Sequence, residues 1–291
     1  MNKLKVFLEM IKFEHTIFAL PFAYMGAVLG SVMLRDHLPS WMEILWITLA
    51  LIGARTAGMA LNRVIDKVID ALNPRTSSRA IPAGLMKTAE AWIFIVLSFG
   101  LLFFAAAQLD PLAMKLLPIA VVMLVGYSYT KRFTWLCHVF LGLTNGLAAL
   151  GGWVAVTGQV STVAIVFYLT IALWVAGFDI LYACQDAEFD KEKGLHSIPS
   201  RFGIRASLLI ARGFHILTGV GLWAIFWLSD LSWWYLVGML IAYVILIYEH
   251  RLVSPHDLSK LNMAFFTMNG VLSVIVFTFT LIDLAVRYAW R

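Results

Sequence analysis

"WITLALIGARTAGMALNRVIDKVID", residues 46–70, decides the fold. Its first part is a membrane-like apolar run interrupted only by Arg55. Its last part places Asn62, Asp66 and Asp70 at i, i+4 and i+8, beside Arg63. On a helix this trio drifts by only about 80° and shares one face. Carboxylates four residues apart on a helix repel, so a bound cation is expected to offset the cost. The same pattern returns in "FDILYACQDAEFD", residues 178–190, where Tyr182, Asp186 and Asp190 keep the spacing. Arg55 precedes Asn62 by seven residues, and Asp179 precedes Asp186 by seven.

The remainder of the chain explains how two such patterns could meet. Of 291 residues, 61% are hydrophobic and 13% charged, and the mean hydropathy is +0.85. These values point to a polytopic helical membrane protein. Nine spans are expected. Uncharged stretches mark Thr16–Leu34, Ile44–Leu61 (broken by Arg55), Ala91–Leu109 and Leu116–Thr130. The fourth is extended back toward Pro111 with Lys115 snorkelling. Phe133–Phe178 is divided by "TGQVST" into a fifth and a sixth span. Gly213–Ser229, Leu231–Tyr248 and Leu261–Ile282 complete the set.

Sixteen Lys and Arg residues between Lys3 and Lys260 fall in the N-terminal segment and the 2–3, 4–5, 6–7 and 8–9 loops. Arg35, Lys115, Arg287 and Arg291 lie on the other side. This bias places the N-terminus in the cytoplasm. Spans 2, 4 and 6 then all run inward and end at "NRVIDKVID", "YSYTKRF" and "FDILYACQDAEFD", so the three polar clusters reach one membrane face. The net charge of +5 comes from short loops and does not suggest nucleic acid. Charges in "MNKLKVFLEMIKFEH" interrupt any signal-peptide core. One transmembrane domain over 1–291 is expected, in a bacterial cytoplasmic membrane or an organellar inner membrane.

Four carboxylates around one cavity, with no His/Cys cluster, favour Mg²⁺, which takes carboxylate, phosphate and water oxygens. Lys131 and Arg132, and Arg75 and Arg79 in "NPRTSSRAIPAG", are candidate clamps on an anion held between the acids. That loop begins at a helix-ending Pro74 and could fold over the site. Lys12, Glu14 and His15 are expected to enter the first span on one face. Asp179 and Arg55 lie at membrane depth, where ionisable residues are costly; they either pair with each other or serve the site. His15, His138 and His215 read as structural histidines. Cys137 and Cys184 read as small apolar residues. Trp41, Trp135, Trp233, Trp234 and Trp290 mark span ends. Gly26-x-x-x-Gly30 and Gly142-x-x-x-Gly146 read as close helix contacts.

The residues resemble a known family. "NRVIDKVIDALNPRTSSRAIPAG" is similar to the first signature of the UbiA superfamily of intramembrane prenyltransferases. "DILYACQDAEFDKEKGLHSIPSRFG" is similar to its second signature, and "YSYTKRFTWLCHVFLG" to the stretch between them. The resemblance covers about residues 10 to 210. It is greatest for the 4-hydroxybenzoate polyprenyltransferase branch of ubiquinone and menaquinone biosynthesis, futalosine-route relatives included. Arg63, where several other branches carry an acid, favours that branch over the enzyme acting on dihydroxynaphthoate.

The resemblance implies that Asn62, Asp66 and Asp70 bind one Mg²⁺–diphosphate and that Asp186 and Asp190 serve a second metal. It also implies that Lys131 and Arg132 contact the diphosphate or the acceptor, and that Tyr127, Tyr129 and Tyr182 lie near the reacting carbon. The expected reaction moves a polyprenyl group from its diphosphate to a ring carbon of an aromatic acid. Arg63 is the candidate for the acceptor's carboxylate, and Asp186 or Asp190 for assisting loss of the phenol proton. Haem or a chlorophyll-type tetrapyrrole is an alternative acceptor. A cation-coupled transporter is the alternative of another class, although transporters place such acids near mid-membrane on broken helices.

Overall fold

The computed structural model describes residues 3–12 and 16–289. Glu14, His15, Trp290 and Arg291, named above, lie outside the described residues. Among the described residues the architecture is all-α, with no strand. A short helix α1 (Lys3–Met10) precedes α2 (Thr16–Arg35), α3 (Trp41–Ile65) and α4 (Lys67–Leu72). Next come α5 (Thr88–Ala106), α6 (Pro111–Thr130), α7 (Cys137–Thr157), α8 (Thr162–Ala183) and α9 (Ala187–Glu192). The chain continues with α10 (Ile198–Leu228), α11 (Trp233–Arg251), a π-helical turn (Met263–Met268) and α12 (Asn269–Ala289).

Eight helices among the described residues are long and apolar enough to cross a membrane, and Ala19–Arg35 in α2 is a shorter apolar helix. The order of the expected spans is reproduced. The seventh differs most: helical structure begins at Ile198, well ahead of Gly213, and is interrupted by a kink at Gly203 (φ 79°, ψ 165°).

Local chemistry starts these helices where the apolar runs begin. Ser40 caps α3 in a reciprocal box with Glu43, and Arg35 pairs with Glu43 at 2.6 Å. Asp110 caps α6, with Pro111 at the first helical position. Ser161 caps α8 and Ser197 caps α10. The glycine motifs mark close approaches, as expected. A Cβ on Gly26 would run into the Ala149 carbonyl of α7, and one on Gly142 into the Ala172 carbonyl of α8.

The bundle core joins α2, α7, α8, α10, α11 and α12 through residues such as Phe22, Met25, Trp153, Phe167, Trp174 and Tyr235. A second cluster joins α1, α3, the 80–86 segment and α5 through Val6, Phe7, Leu61, Met86 and Ile95. There Phe7 stacks on Phe94 with centroids 4.1 Å apart. Helix α1 was not anticipated, because its apolar positions alternate with charges too closely to read as a span. Lys12 follows α1 in a turn with φ 52°, ahead of the first span, and lines the cavity.

Candidate active site

The two acidic patterns lie on helices that break. Helix α3 ends at Ile65, Asp66 takes φ −91° and ψ 4°, and α4 continues. Helix α8 ends at Ala183, a 3₁₀ turn follows, Asp186 takes φ −103° and ψ 4°, and α9 continues. Both breaks use the sparsely populated bridge region, in which many active-site residues sit. The expectation of one unbroken helical face is therefore corrected. Asp66, Asp70 and Asp190 are buried, at 3%, 4% and 9% exposure.

The clusters nevertheless meet around one cavity of about 790 Å³. Its lining includes Asn62, Arg63, Asp66, Asp70, Arg75, Arg79, Tyr127, Lys131, Tyr182, Asp186 and Asp190. Asp66 accepts from Asn62 at 2.9 Å, pairs with Lys131 at 3.2 Å and with Arg132 at 2.9 Å. Asp70 pairs with Arg79 at 2.7 Å. Asp186 takes a two-pronged contact from Arg75, at 2.9 and 2.5 Å, and a hydrogen bond from Asn73 at 2.9 Å. The 73–87 segment thus reaches both acidic clusters. Burial alone would lower the Arg75 pKa; its bond to the Asp186 carboxylate outweighs that and raises it.

Other expected residues have narrower places. Arg63 donates to Asn62 at 2.8 Å and to the Met10 carbonyl at 3.5 Å, tying α3 to α1. Tyr127 donates to the Gly58 carbonyl at 3.2 Å. Arg75 lies 5.4 Å from the centre of the Tyr182 ring. Arg132 is not among the cavity-lining residues. It donates to the carbonyls of Ser128 and Ile65 as well as to Asp66, which commits its fork to the backbone behind the acid. Tyr129 is half-exposed and also outside the lining, because two residues along the helix turn it about 200° away from the face that carries Tyr127. Asp179 pairs with His138 at 2.7 Å.

Three residues of the site were missed in the sequence. Asn73 bridges to the second cluster and accepts from the Arg75 N–H at 2.9 Å. Ser128 receives an Asn62 bond at 3.3 Å. His138, read as structural, lines the cavity. The sequence signal was weak: Asn73 follows Asp70 by three residues, one helical turn.

No group of three or more His, Cys, Asp or Glu forms a metal cage among the described residues. Mg²⁺ needs none, since one or two carboxylates plus substrate phosphates suffice. The residues fit such an ion: the donors are hard oxygens, and Asp70 Oδ2 is buried without a hydrogen-bond partner among the described residues. An unpaired buried carboxylate oxygen is costly, and a cation there would relieve it.

The family described as "UbiA prenyltransferase family" matches residues 19–271. Similar curated proteins include the 4-hydroxybenzoate octaprenyltransferase of Vibrio campbellii, 27% identical, with 94% of this chain and 96% of that protein covered. The protein of the same description from Herminiimonas arsenicoxydans is 27% identical, with 99% and 100% covered. The apo structure of a UbiA homolog from Aeropyrum pernix K1 is similar at a TM-score of 0.84 and 29% identity, over 93% of this chain and 98% of that one. A UbiA homolog from Archaeoglobus fulgidus bound to DMAPP and Mg²⁺ shares the fold at a TM-score of 0.74 and 19% identity, over 96% and 99%.

Proposed function

The chain belongs to the UbiA prenyltransferase family, and we propose that it transfers a polyprenyl group from polyprenyl diphosphate to a ring carbon of a 4-hydroxybenzoate-like aromatic acid, as a step in quinone biosynthesis. It is an integral, multi-pass membrane protein. We read residues 1–291 as one transmembrane unit of nine crossings, with the N-terminus and the cavity mouth cytoplasmic, on the strength of the basic-residue bias.

One observation carries the reading: both acidic clusters and the bases Lys131, Arg75 and Arg79 line a single cavity. Asn62, Asp66 and Asp70 would hold one Mg²⁺, and Asp186 and Asp190 a second. When bound, Mg²⁺ supplies Lewis-acid neutralisation of the diphosphate. Lys131, Arg75 and Arg79 orient the diphosphate and stabilise the charge it gains as the allylic C–O bond breaks. Arg132 acts by holding Asp66. The apolar wall that includes Phe22, Trp174 and Phe178 accepts the tail and excludes water. Tyr127 and Tyr182 offer ring faces to the allylic carbon. Arg63 would bind the carboxylate of the acceptor, its orientation fixed by bonds to Asn62 and the Met10 carbonyl. Curated relatives described as 4-hydroxybenzoate octaprenyltransferases support the acceptor class, and the related structure bound to DMAPP and Mg²⁺ supports the donor and the metal.

The test is to incubate purified protein with Mg²⁺, a prenyl diphosphate and a panel of aromatic acids, with mass spectrometry of the lipid products. A prenylated 4-hydroxybenzoate that disappears on chelation of Mg²⁺ is expected. Asp66→Asn and Asp186→Asn should each abolish product while leaving a monodisperse protein in detergent. Near-normal turnover by both variants would refute the assignment.

A further inference from the structure

Asp179 and His138 form a hydrogen-bonded couple in the cavity wall. Asp179 lies on α8, seven residues before Asp186, which is about 10 Å deeper along the helix. His138 lies on the neighbouring α7 and is buried at 3% exposure. Its Nδ1 is 2.7 Å from Asp179 Oδ2. Its Nε2 accepts from the backbone N–H of Ile198, the first residue of α10, at 3.3 Å. A backbone N–H can only donate, so Nε2 carries the lone pair and Nδ1 carries the proton. The ring is thereby held in one tautomer and aimed at one oxygen of a charged carboxylate. The Asp179 side chain keeps 21% of its surface accessible and lines the cavity.

A carboxylate at membrane depth is costly, and a single hydrogen bond does not offset that cost. Asp186, the residue one would first choose as a base, is assigned above to a metal site and accepts from Arg75 and Asn73 in this structure. Asp179 is hydrogen-bonded through one oxygen and lines the cavity beside the apolar Val175 and Phe178.

We propose that Asp179, positioned by His138, takes the hydroxyl proton of the aromatic acceptor during prenyl transfer. This rests on the acceptor class assigned above. The ring carbon beside the hydroxyl forms a bond to prenyl C1 as the C1–O bond breaks, and the electron pair leaves on the diphosphate oxygen. The hydroxyl proton passes to Asp179, giving a neutral dienone. The ring hydrogen then leaves as a proton to the released diphosphate, Asp179 returns its proton to the oxygen, and the phenol is restored. Asp179 is the catalytic residue of this step and His138 a positioning residue.

The experiment uses the full chain in detergent with Mg²⁺, a prenyl diphosphate and a series of fluorinated 4-hydroxybenzoates of increasing hydroxyl acidity. Asp179→Asn should lower kcat by about 100-fold or more with 4-hydroxybenzoate, while KM for the prenyl diphosphate stays within about threefold. The ratio of variant to wild-type kcat should rise along the series, because more acidic acceptors need no base. His138→Leu should show a smaller loss with the same trend, and His138→Gln, which keeps an N–H donor, should stay near wild type. An Asp179→Asn kcat within about threefold of wild type, or an equal loss with every acceptor, would overturn the proposal. If Asp179→Asn is not monodisperse, the trend in His138→Leu decides in the same way. Failure of wild type to prenylate any acid would instead remove the acceptor class.

Discussion

Asn73 serves two ends of the site at once. Its amide donates to Asp186, and its carbonyl oxygen accepts from the backbone of Arg75, so a residue beside the first acidic cluster aims the base that grips the second. Groups that orient metal-binding carboxylates typically matter 10–100-fold for affinity, by rough measure. Asn73→Ala is therefore expected to raise the Mg²⁺ concentration for half-maximal activity by about 10-fold, read from a Mg²⁺ titration of turnover. Arg75→Lys keeps the charge but loses the fork that bonds both oxygens of Asp186. It should cut turnover about 10-fold or more, because a lost hydrogen bond to a charged group costs about 1.5–3 kcal/mol; a steady-state assay checks this. That Asp66, Asp70, Asp186 and Asp190 share one cavity was legible in the sequence, because carboxylates repeated at helical spacing in an apolar chain call for partners of opposite charge. Asn73 and His138 were not, since an amide in a loop or a histidine in a span can serve many structural ends.

At the scale of elements, the close contacts of α7 with α2 and α8 hold the bundle under the site. Gly26 approaches the Ala149 carbonyl so closely that a methyl group does not fit. Gly26→Ala should destabilise the protein by about 1–3 kcal/mol, the usual range for overpacking, seen as a lower thermal unfolding midpoint in detergent with unchanged secondary structure below it. The glycine motifs announced these contacts, whereas the breaks at Asp66 and Asp186 left no mark. Both acidic stretches have good helical spacing, and local propensity favours continuing the helix. The interruption coincides with contacts from distant residues. Arg132 bonds the Ile65 carbonyl beside Asp66, and Asn73 and Arg75 bond Asp186. Helix α1 was equally hidden, because its packing face is completed by Phe94 and Leu61 from other helices.

At the scale of the molecule, the basic-residue bias predicts that the N-terminus and the cavity mouth face the cytoplasm. With the basic loops inside, a cysteine at Ser77, in the exposed segment over the cavity, should react with a membrane-impermeant maleimide only in inverted vesicles. One at Leu38, 56% exposed, should react only in right-side-out vesicles. The measurement is made in a background lacking Cys137 and Cys184, and labelling from the opposite sides would reverse the orientation.

Hydropathy, charge bias and short spacings by themselves determined the all-helical class, the succession of spans and the gathering of the acidic clusters. Those features depend only on how each segment partitions between water and lipid and on short spacings along one helix. Tertiary structure alone decided which base neutralises which acid, that Arg132 stands behind Asp66 while Lys131 faces the cavity, and that His138 aims Asp179. Such pairings depend on distances between residues up to 113 positions apart in the chain, and no local pattern encodes a distance that only packing creates.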